Sequence, residues 1–209
     1  YGVELVNSFW SLEAYHIEDR RVVTFTASDC EFGYRDSIFK RSLKEQIIIL
    51  SVTFRLSKQP VFHITYPALE QELHRRGVKQ LSVSAIAEAV SAVRRSKLPD
   101  PAVIGSAGSF FKNPQVTQEK FLQLKESHPG VVGHPVADGS YKLSAGWLIE
   151  AAGFKGKRRG EAGTYEKQAL VLVNYGGATG KEILTLSEDI TKSVWELFQV
   201  KLIPEVNIC

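Results

Sequence analysis

Residues 97–114 read Lys-Leu-Pro-Asp-Pro-Ala-Val-Ile-Gly-Ser-Ala-Gly-Ser-Phe-Phe-Lys-Asn-Pro, the stretch of the chain that is densest in residues that fix backbone shape. Its first two prolines keep the residues before them extended, and its two glycines permit backbone angles that other residues avoid. Composition alone favours a tight loop between a helix and a core segment. The alternative interpretation is a site loop that directs Lys97, Ser109 and Asn113 at one ligand.

The composition is that of an ordinary globular protein, with 44% hydrophobic and 23% charged residues among 209, so wholesale disorder is not expected. A formal net charge of +3 suits an anionic small molecule and does not require a nucleic acid. Two cysteines, Cys30 and Cys209, are too few for a disulfide framework or a cysteine-based zinc site and are compatible with a reducing cytoplasm. No apolar run approaches the roughly 20 residues that span a bilayer. Because the sequence has no methionine and opens at Tyr1, we expect a processed chain or part of a longer one.

The hydrophobic pattern divides the chain near Ser82. Before it, residues 21–27, 46–57 and 62–66 combine β-branched or aromatic side chains with alternating polarity, which predicts three strands of one antiparallel sheet. The first twenty residues form a lead-in to this sheet. After Ser82, helical spacing dominates, so the change of pattern is the expected domain boundary and the predicted fold class is α+β.

Several helix signals follow that boundary. Apolar residues at helical spacing predict a helix from about Ser82 to Lys97, and Thr117 can cap a second helix that reaches Ser127. Residues 144–152 predict a short buried helix. Residues 179–182 match a capping box that opens a long amphipathic helix. Two further strands are predicted at residues 168–174 and 200–208.

Residues Lys155–Arg159 contain four cations in five positions. The structural interpretation is a solvated surface loop, and the functional one is an anion contact. The functional interpretation leads to one candidate function, a non-catalytic module that binds an anionic ligand or polymer through this loop. Residues 176–181, Gly-Gly-Ala-Thr-Gly-Lys, lack the full spacing of a nucleotide-binding phosphate loop.

Short motifs with a second message occur in a fixed order along the chain. They are Gly-Tyr-Arg-Asp-Ser-Ile-Phe-Lys at 33–40, Lys-Leu-Pro-Asp-Pro at 97–101, Gly-Ser-Ala-Gly-Ser-Phe-Phe-Lys-Asn-Pro at 105–114, Ala-Asp-Gly at 137–139, Lys-Leu-Ser-Ala-Gly-Trp-Leu-Ile at 142–149, Gln-Ala-Leu-Val-Leu-Val-Asn at 168–174 and Pro-Glu-Val at 204–206. Together they resemble the UDP-N-acetylenolpyruvoylglucosamine reductase family of bacterial peptidoglycan synthesis, over essentially the whole chain.

The resemblance implies an α+β organisation with boundaries that can be placed. Residues 1–81 would be the C-terminal part of an FAD-binding domain whose upstream part precedes Tyr1. Residues 82–199 would be a smaller substrate-binding domain, and residues 200–209 a C-terminal strand that returns to the flavin side. The implied protein is a cytoplasmic, monomeric flavoprotein oxidoreductase of cell wall biogenesis, and thus of cell shape and division. It would have no nucleic-acid or membrane partner and no metal.

The implied reaction uses NADPH and FAD to reduce UDP-N-acetylglucosamine enolpyruvate to UDP-N-acetylmuramate. Hydride addition at C3 leaves charge at C2 that fixed donors can stabilise. Arg35 matches the family's catalytic arginine, whose planar fork suits a carboxylate. Ser109 matches the proton donor, and Glu205 matches the catalytic glutamate, which in its protonated form would hydrogen-bond the enolate.

Other positions match the family's binding residues. Tyr66, Lys97, Asn113 and Gln168 would hold the UDP-sugar, chiefly around the diphosphate. Tyr34 would lie at the junction of flavin and substrate.

Two departures from the family pattern affect these expectations. Ser106 stands where the family has asparagine, so we expect different hydrogen bonding inside its loop. Tyr165 and Glu166 stand where histidine and arginine are frequent, which puts a charge contact from that turn in doubt.

Overall fold

The computed structural model describes residues 4–208, which fall in two compact units, Tyr1–Val93 and Arg94–Cys209. Both units combine helices with antiparallel strands, and this confirms the coarse α+β class. The finer domain assignment, with boundaries after residues 81 and 199, stays a prediction. Within residues 4–208, no helix is both long and apolar enough to cross a bilayer.

The first unit contains a sheet of three described strands in the order β2-β1-β3. They are β1 (Phe9–His16), β2 (Arg21–Thr26) and β3 (Ile47–Phe54), and one-turn 3-10 helices occupy Leu5–Asn7 and Ile38–Lys40. The strands predicted at residues 21–27 and 46–57 are confirmed. The central strand, β1, lies in the segment that was expected to be only a lead-in.

The strand predicted at residues 62–66 is wrong, since the structure gives these residues no strand. They lead into helix α1 (Pro67–Arg75), and helix α2 (Val83–Lys97) follows. Ile64 packs against the cluster formed by Leu69, Leu73 and Ala89 of these helices. The apolar side chains of the segment are therefore partly buried against helices, without pairing to the sheet.

The second unit is built on a sheet of four described strands in the order β4-β10-β9-β8. The chain passes through β4 (Gly105–Ser109), β5 (Gln115–Val116), α3 (Gln118–Ser127), β6 (Gly133–Pro135), β7 (Tyr141–Leu143), α4 (Ala145–Ala151), β8 (Arg158–Arg159), β9 (Ala162–Tyr165), β10 (Gln168–Asn174) and α5 (Gly180–Phe198). Strands β5, β7 and β6 pair as a second small sheet. The main core joins α4, α5, β10 and the segment after β4, with buried residues that include Phe111, Leu148, Ile149, Val173, Ile190 and Leu202.

Predicted caps fix the starts of three helices. The Thr117 hydroxyl accepts the N–H of Lys120 at 3.2 Å, and the Ser144 hydroxyl accepts the N–H of Trp147 at 3.2 Å. At α5, Thr179 and Glu182 form the complete capping box. These side chains accept backbone N–H groups that have no partner within the helix, and the predicted helices are confirmed.

The strand predicted at residues 200–208 is wrong in extent. The segment pairs with the chain after β4 only through an isolated bridge between Phe111 and Pro204. Lys112 N–H donates to the Ile203 carbonyl at 2.9 Å, and Glu205 N–H donates to the Phe110 carbonyl at 2.8 Å. Because proline has no N–H, Pro204 cannot contribute a donor to a longer ladder.

Candidate active site

Ser109 is the last residue of β4 and lies opposite Val171 of the buried strand β10. The next residue, Phe110, is held on both sides: its N–H donates to the Leu170 carbonyl at 2.9 Å, and its carbonyl accepts the Glu205 N–H at 2.8 Å. Phe110 is buried, whereas Ser109 is exposed and Glu205 half-buried. The backbones of two predicted catalytic residues, far apart in the sequence, are thus neighbours through the carbonyl of Phe110.

A bulge in β4 sets the backbone just before Ser109. The register passes from Val171↔Ser109 to Val173↔Ser106, so β4 has one more residue than β10 over this interval. Gly108 takes φ +80° there, a conformation that favours glycine. β-Bulges bend a strand and re-aim a side chain. The predicted loop at 97–114 is therefore partly a strand, with the irregular backbone concentrated at Gly108.

Ser106 has a clear role in that bulge. Its hydroxyl accepts the N–H of Gly108 at 3.2 Å. Asparagine makes the same local turn through its side-chain carbonyl, since Asx and Ser/Thr turns both bond the backbone two residues on. The serine therefore preserves the local hydrogen bond that an asparagine at this position would make.

Two predicted binding residues converge on the first turn of α4. Asn113 Oδ1 accepts the Ala145 N–H at 2.9 Å, which leaves the Nδ2 end of the amide to point away from the helix. Gln168 Oε1 would lie 3.0 Å from a Cβ built on Gly146, and it accepts the Leu170 N–H at the long distance of 3.5 Å. Lys97, the last residue of α2, is half-buried.

In the first unit, Arg35 lies on a tight turn. Gly33 and Asp36 exchange two backbone hydrogen bonds, of 3.0 and 3.2 Å, around it. Arg35 is exposed and has φ +55°, a conformation that is uncommon for residues with a Cβ and that concentrates at functional sites. Beside it, Tyr34 is 37% exposed.

The guanidinium of Arg41 holds the segments on both sides of that turn. It contacts the Asp36 carboxylate at 3.1 Å and the Glu31 carboxylate at 3.0 Å. It also donates to the Glu31 carbonyl at 3.1 Å. The Lys40 ammonium donates to the carbonyl of Arg35 itself at 3.2 Å. This network holds the backbone of the Arg35 turn in place.

The turn that precedes this segment is fixed by a carboxylate. Asp29 Oδ2 accepts the N–H and the hydroxyl of Thr26 at 2.8 and 2.6 Å, and these hydrogen bonds lower the pKa of Asp29. Burial raises the pKa of the neighbouring Cys30 thiol, with a further contribution from the charge of Asp29.

Tyr66 is the N-cap residue of α1 in the same unit. Its carbonyl accepts the N–H groups of Leu69 and Glu70 at 2.9 and 3.1 Å, and its side chain is 38% exposed. Among residues 4–208, no group of three or more histidine, cysteine or acidic side chains is arranged to hold a metal ion.

The basic run at Lys155–Arg159 is occupied by contacts within its own unit. Lys155 pairs with Glu150 at 2.8 Å, and Arg159 pairs with Asp189. Arg158 pairs with Glu161 at 2.6 Å and lies over the ring of Tyr175. Acidic partners already neutralise much of this charge, which favours the structural interpretation of the run.

The family of the chain follows from its second half. Residues 100–209, more than half of the sequence, match the family model described as UDP-N-acetylenolpyruvoylglucosamine reductase, C-terminal domain. The chain belongs to the UDP-N-acetylenolpyruvoylglucosamine reductase family. The matched residues contain Ser109, Asn113, Gln168 and Glu205, and the resemblance found in the sequence is confirmed.

Relatives of the family extend the match to the whole chain. Proteins named UDP-N-acetylenolpyruvoylglucosamine reductase from Amoebophilus asiaticus (strain 5a2) and Flavobacterium johnsoniae are 50% and 45% identical to it over its full length. The chain spans 61% and 62% of these relatives. The crystal structure of the reductase from Thermus caldophilus superposes with a TM-score of 0.55 at 24% identity, covering 97% of this chain and 53% of that chain. At that identity the likeness shows the fold alone.

The structure adds residues that the sequence did not single out. Gly146 and Ala145 contact the two amide side chains at the start of α4, and Arg41 holds the Arg35 turn. The first two lie within the quoted motif at 142–149, so a signal for them was present. The pairing of Arg41 with Asp36 and Glu31 has no comparable spacing signature.

Proposed function

We propose that this chain is the substrate-binding and catalytic portion of a reductase that converts UDP-N-acetylglucosamine enolpyruvate to UDP-N-acetylmuramate. The observation that carries the proposal is the hydrogen bond from Glu205 N–H to the Phe110 carbonyl. It makes the backbone of a carboxylic acid the neighbour of the backbone of an exposed serine. A proton donor and a hydrogen-bonding acid are the two groups that an enolate needs.

The proposed chemistry assigns one task to each catalytic side chain. As C3 of the enolpyruvyl group gains hydride, the electron pair of the C2–C3 double bond moves to C2 and the adjoining carboxylate. Arg35 binds that carboxylate through its planar fork, and protonated Glu205 donates a hydrogen bond to it. Ser109 gives its hydroxyl proton to C2, which completes the saturated lactyl ether, and the serine oxygen then regains a proton from water.

The diphosphate needs cationic or N–H donors. Lys97 supplies a compact positive charge, and Tyr66 a hydroxyl. Asn113 supplies N–H donors, because its oxygen is already engaged by the Ala145 N–H. Gln168 Oε1 likewise faces protein, next to Gly146. This orientation of the two amides supports a role in binding an anion.

FAD, reduced by NADPH, supplies the hydride. A partly exposed tyrosine next to an arginine fits this group, because an aromatic face can stack on a flat ring, and Tyr34 is the residue that we propose to contact it. Residues 1–81 then serve as part of the flavin domain and residues 82–199 as the substrate domain. We propose a cytoplasmic, monomeric enzyme of cell wall synthesis.

The test is a single-turnover measurement on the full-length reductase. With Ser109→Ala, reduction of the flavin by NADPH should persist, whereas its reoxidation by the enolpyruvyl substrate should slow by about a hundredfold or more. Ser109→Thr, which keeps a hydroxyl, should retain a larger part of the rate. Fast reoxidation in Ser109→Ala would disprove the donor role.

The competing proposal is a polyanion-binding module that uses Lys155–Arg159. It predicts that replacing Arg158 and Arg159 by glutamine abolishes binding to a polyanion such as polyphosphate. The acidic partners of these cations favour the opposite outcome, in which only fold stability changes.

A further inference from the structure

Gly146 occupies a place in α4 where a larger residue would be expected. It is the second residue of a helix, and glycine lowers helix stability relative to alanine. Its φ lies outside the left-handed region, since Gly146 is absent from the positive-φ glycines of the described chain. Close approach by another group is the remaining reason for a glycine.

The group that approaches is the amide of Gln168. A Cβ on Gly146 would lie 3.0 Å from Gln168 Oε1, with Ser144 Oγ and Leu170 Cβ farther away at 3.8 and 3.9 Å. The same oxygen accepts the Leu170 N–H at 3.5 Å. The glycine therefore leaves the space in which the carbonyl end of this amide sits, and the amide's Nε2 end is the one left to face a ligand.

The residue before Gly146 performs a related task for the second amide. Ala145 N–H donates to Asn113 Oδ1 at 2.9 Å, which fixes the orientation of that side chain. Asn113 precedes β5, and Gln168 begins β10. Consecutive residues of one helical turn thus contact the oxygen ends of two amides that come from separate segments.

We propose that Gly146 is a positioning residue, which sets the Gln168 amide so that its N–H donors meet the diphosphate of the nucleotide sugar. This inference rests on the proposed function, in which Gln168 contacts that diphosphate. An added methyl group would move the amide by a few tenths of an ångström or rotate it. The far end of a glutamine yields at little cost to the fold, so the effect appears mainly in ligand binding.

The experiment uses the full-length reductase and UDP-N-acetylglucosamine, a probe that carries the diphosphate without the reacting enolpyruvyl group. Gly146→Ala should weaken its binding by roughly three- to tenfold, as expected when one hydrogen bond to a charged group is misplaced. The matched control is Gly180→Ala in the first turn of α5, where an added Cβ meets nothing within 4 Å. This control should leave the Kd unchanged.

A double-mutant cycle then separates positioning from a general structural role. Gln168→Ala alone should weaken binding by roughly tenfold. In the Gln168→Ala background, Gly146→Ala should change the Kd by less than about twofold. The side-chain NH₂ resonances of Gln168 should also shift in Gly146→Ala, and KM should rise more than kcat falls.

Distinct results overturn the two levels of the proposal. An equal loss of affinity in both backgrounds, or no loss in either, would show that Gly146 does not act through Gln168. A Gln168→Ala variant with normal affinity would overturn the diphosphate role of Gln168 itself, and the positioning role with it, while the Ser109→Ala measurement would still test the proposed reaction.

Discussion

Asn113→Asp separates the structural role of this side chain from its proposed binding role. Asn113 Oδ1 accepts the N–H of Ala145, a residue with no exposed surface, at 2.9 Å. Aspartate has nearly the same shape and offers an oxygen to the same N–H. A negative charge at the first turn of a helix is favourable by roughly 0.3–1 kcal/mol, so the free energy of unfolding should change by less than about 1 kcal/mol.

The same change should strongly impair binding of a diphosphate. The variant loses the NH₂ donors of Asn113, and a hydrogen bond to a charged group contributes about 1.5–3 kcal/mol. It also gains a negative charge that faces the ligand, and two like charges about 5 Å apart repel by about 3 kcal/mol at an effective dielectric constant near 20. Because the two terms overlap, we expect a net loss of about 2–4 kcal/mol, or about 30- to 900-fold in Kd.

The assay is titration calorimetry with UDP-N-acetylglucosamine on the full-length reductase, together with thermal unfolding. Asn113→Ala is the matched comparison. It removes the acceptor and leaves the Ala145 N–H unpaired, which should cost about 1–3 kcal/mol of stability, while its loss of affinity should be smaller than that of Asn113→Asp. Equal affinities for Asn113→Asp and the unaltered enzyme would refute the inference that the Nδ2 end faces the diphosphate.

Three further predictions concern the stability of the fold. Gly108→Ala should lower the free energy of unfolding by about 1–2 kcal/mol in denaturant titrations because of its φ of +80°, whereas a matching Gly180→Ala should not. Thr179→Ala, which removes the α5 capping box, should cost about 0.5–2 kcal/mol by the same measurement, and a smaller cost in Thr179→Ser would support the capping role. Hydrogen bonds from Arg75 and Arg76 lower the pKa of Glu72 from 4.5 to about 2, so its stabilising contribution is present above pH 4.5 and is lost as the pH falls through 2. Glu72→Gln should flatten stability between these pH values, and an unchanged acid profile would contradict the assignment.

The sequence predicted helices of the second unit well because their starts are chemically marked. Thr117, Ser144 and Thr179 each cap the helix that follows, and the helical spacing continues from there. Helix α1 was missed because Pro67 was interpreted as the end of a strand. It is the first residue of a helix, a position that proline also favours.

Strand β1 shows why a central strand can be missing from a sequence-based prediction. Its register shifts between Phe9 and Ser11 and again between Glu13 and Ala14. Its buried residues are Phe9, Leu12 and Ala14, so the period of two that marks a strand is broken. Bulges change which side chains share a face without any local change in composition.

The candidate site divides in the same way into local and long-range parts. The residue types at Ser109 and Asn113 were visible in one stretch, but the hydrogen bond between Glu205 and Phe110 joins segments with no shared local pattern. Pairing of that kind depends on the register of the folded chain, which sequence spacing does not encode. The family resemblance supplied Glu205, and the residues alone did not.

The stretch at 97–114 owes its proposed role to the strand within it. Its small residues were interpreted as loop punctuation, yet Gly105–Ser109 pairs with β10, whose Val171 and Val173 are fully buried. A mobile loop would lose binding energy to ordering, whereas a side chain on a strand attached to the core is held in position before the substrate arrives. The bulge at Gly108 allows the strand to remain paired while the backbone before Ser109 turns. The glycines and the serine thus serve one purpose, which is to hold an exposed hydroxyl on a rigid edge.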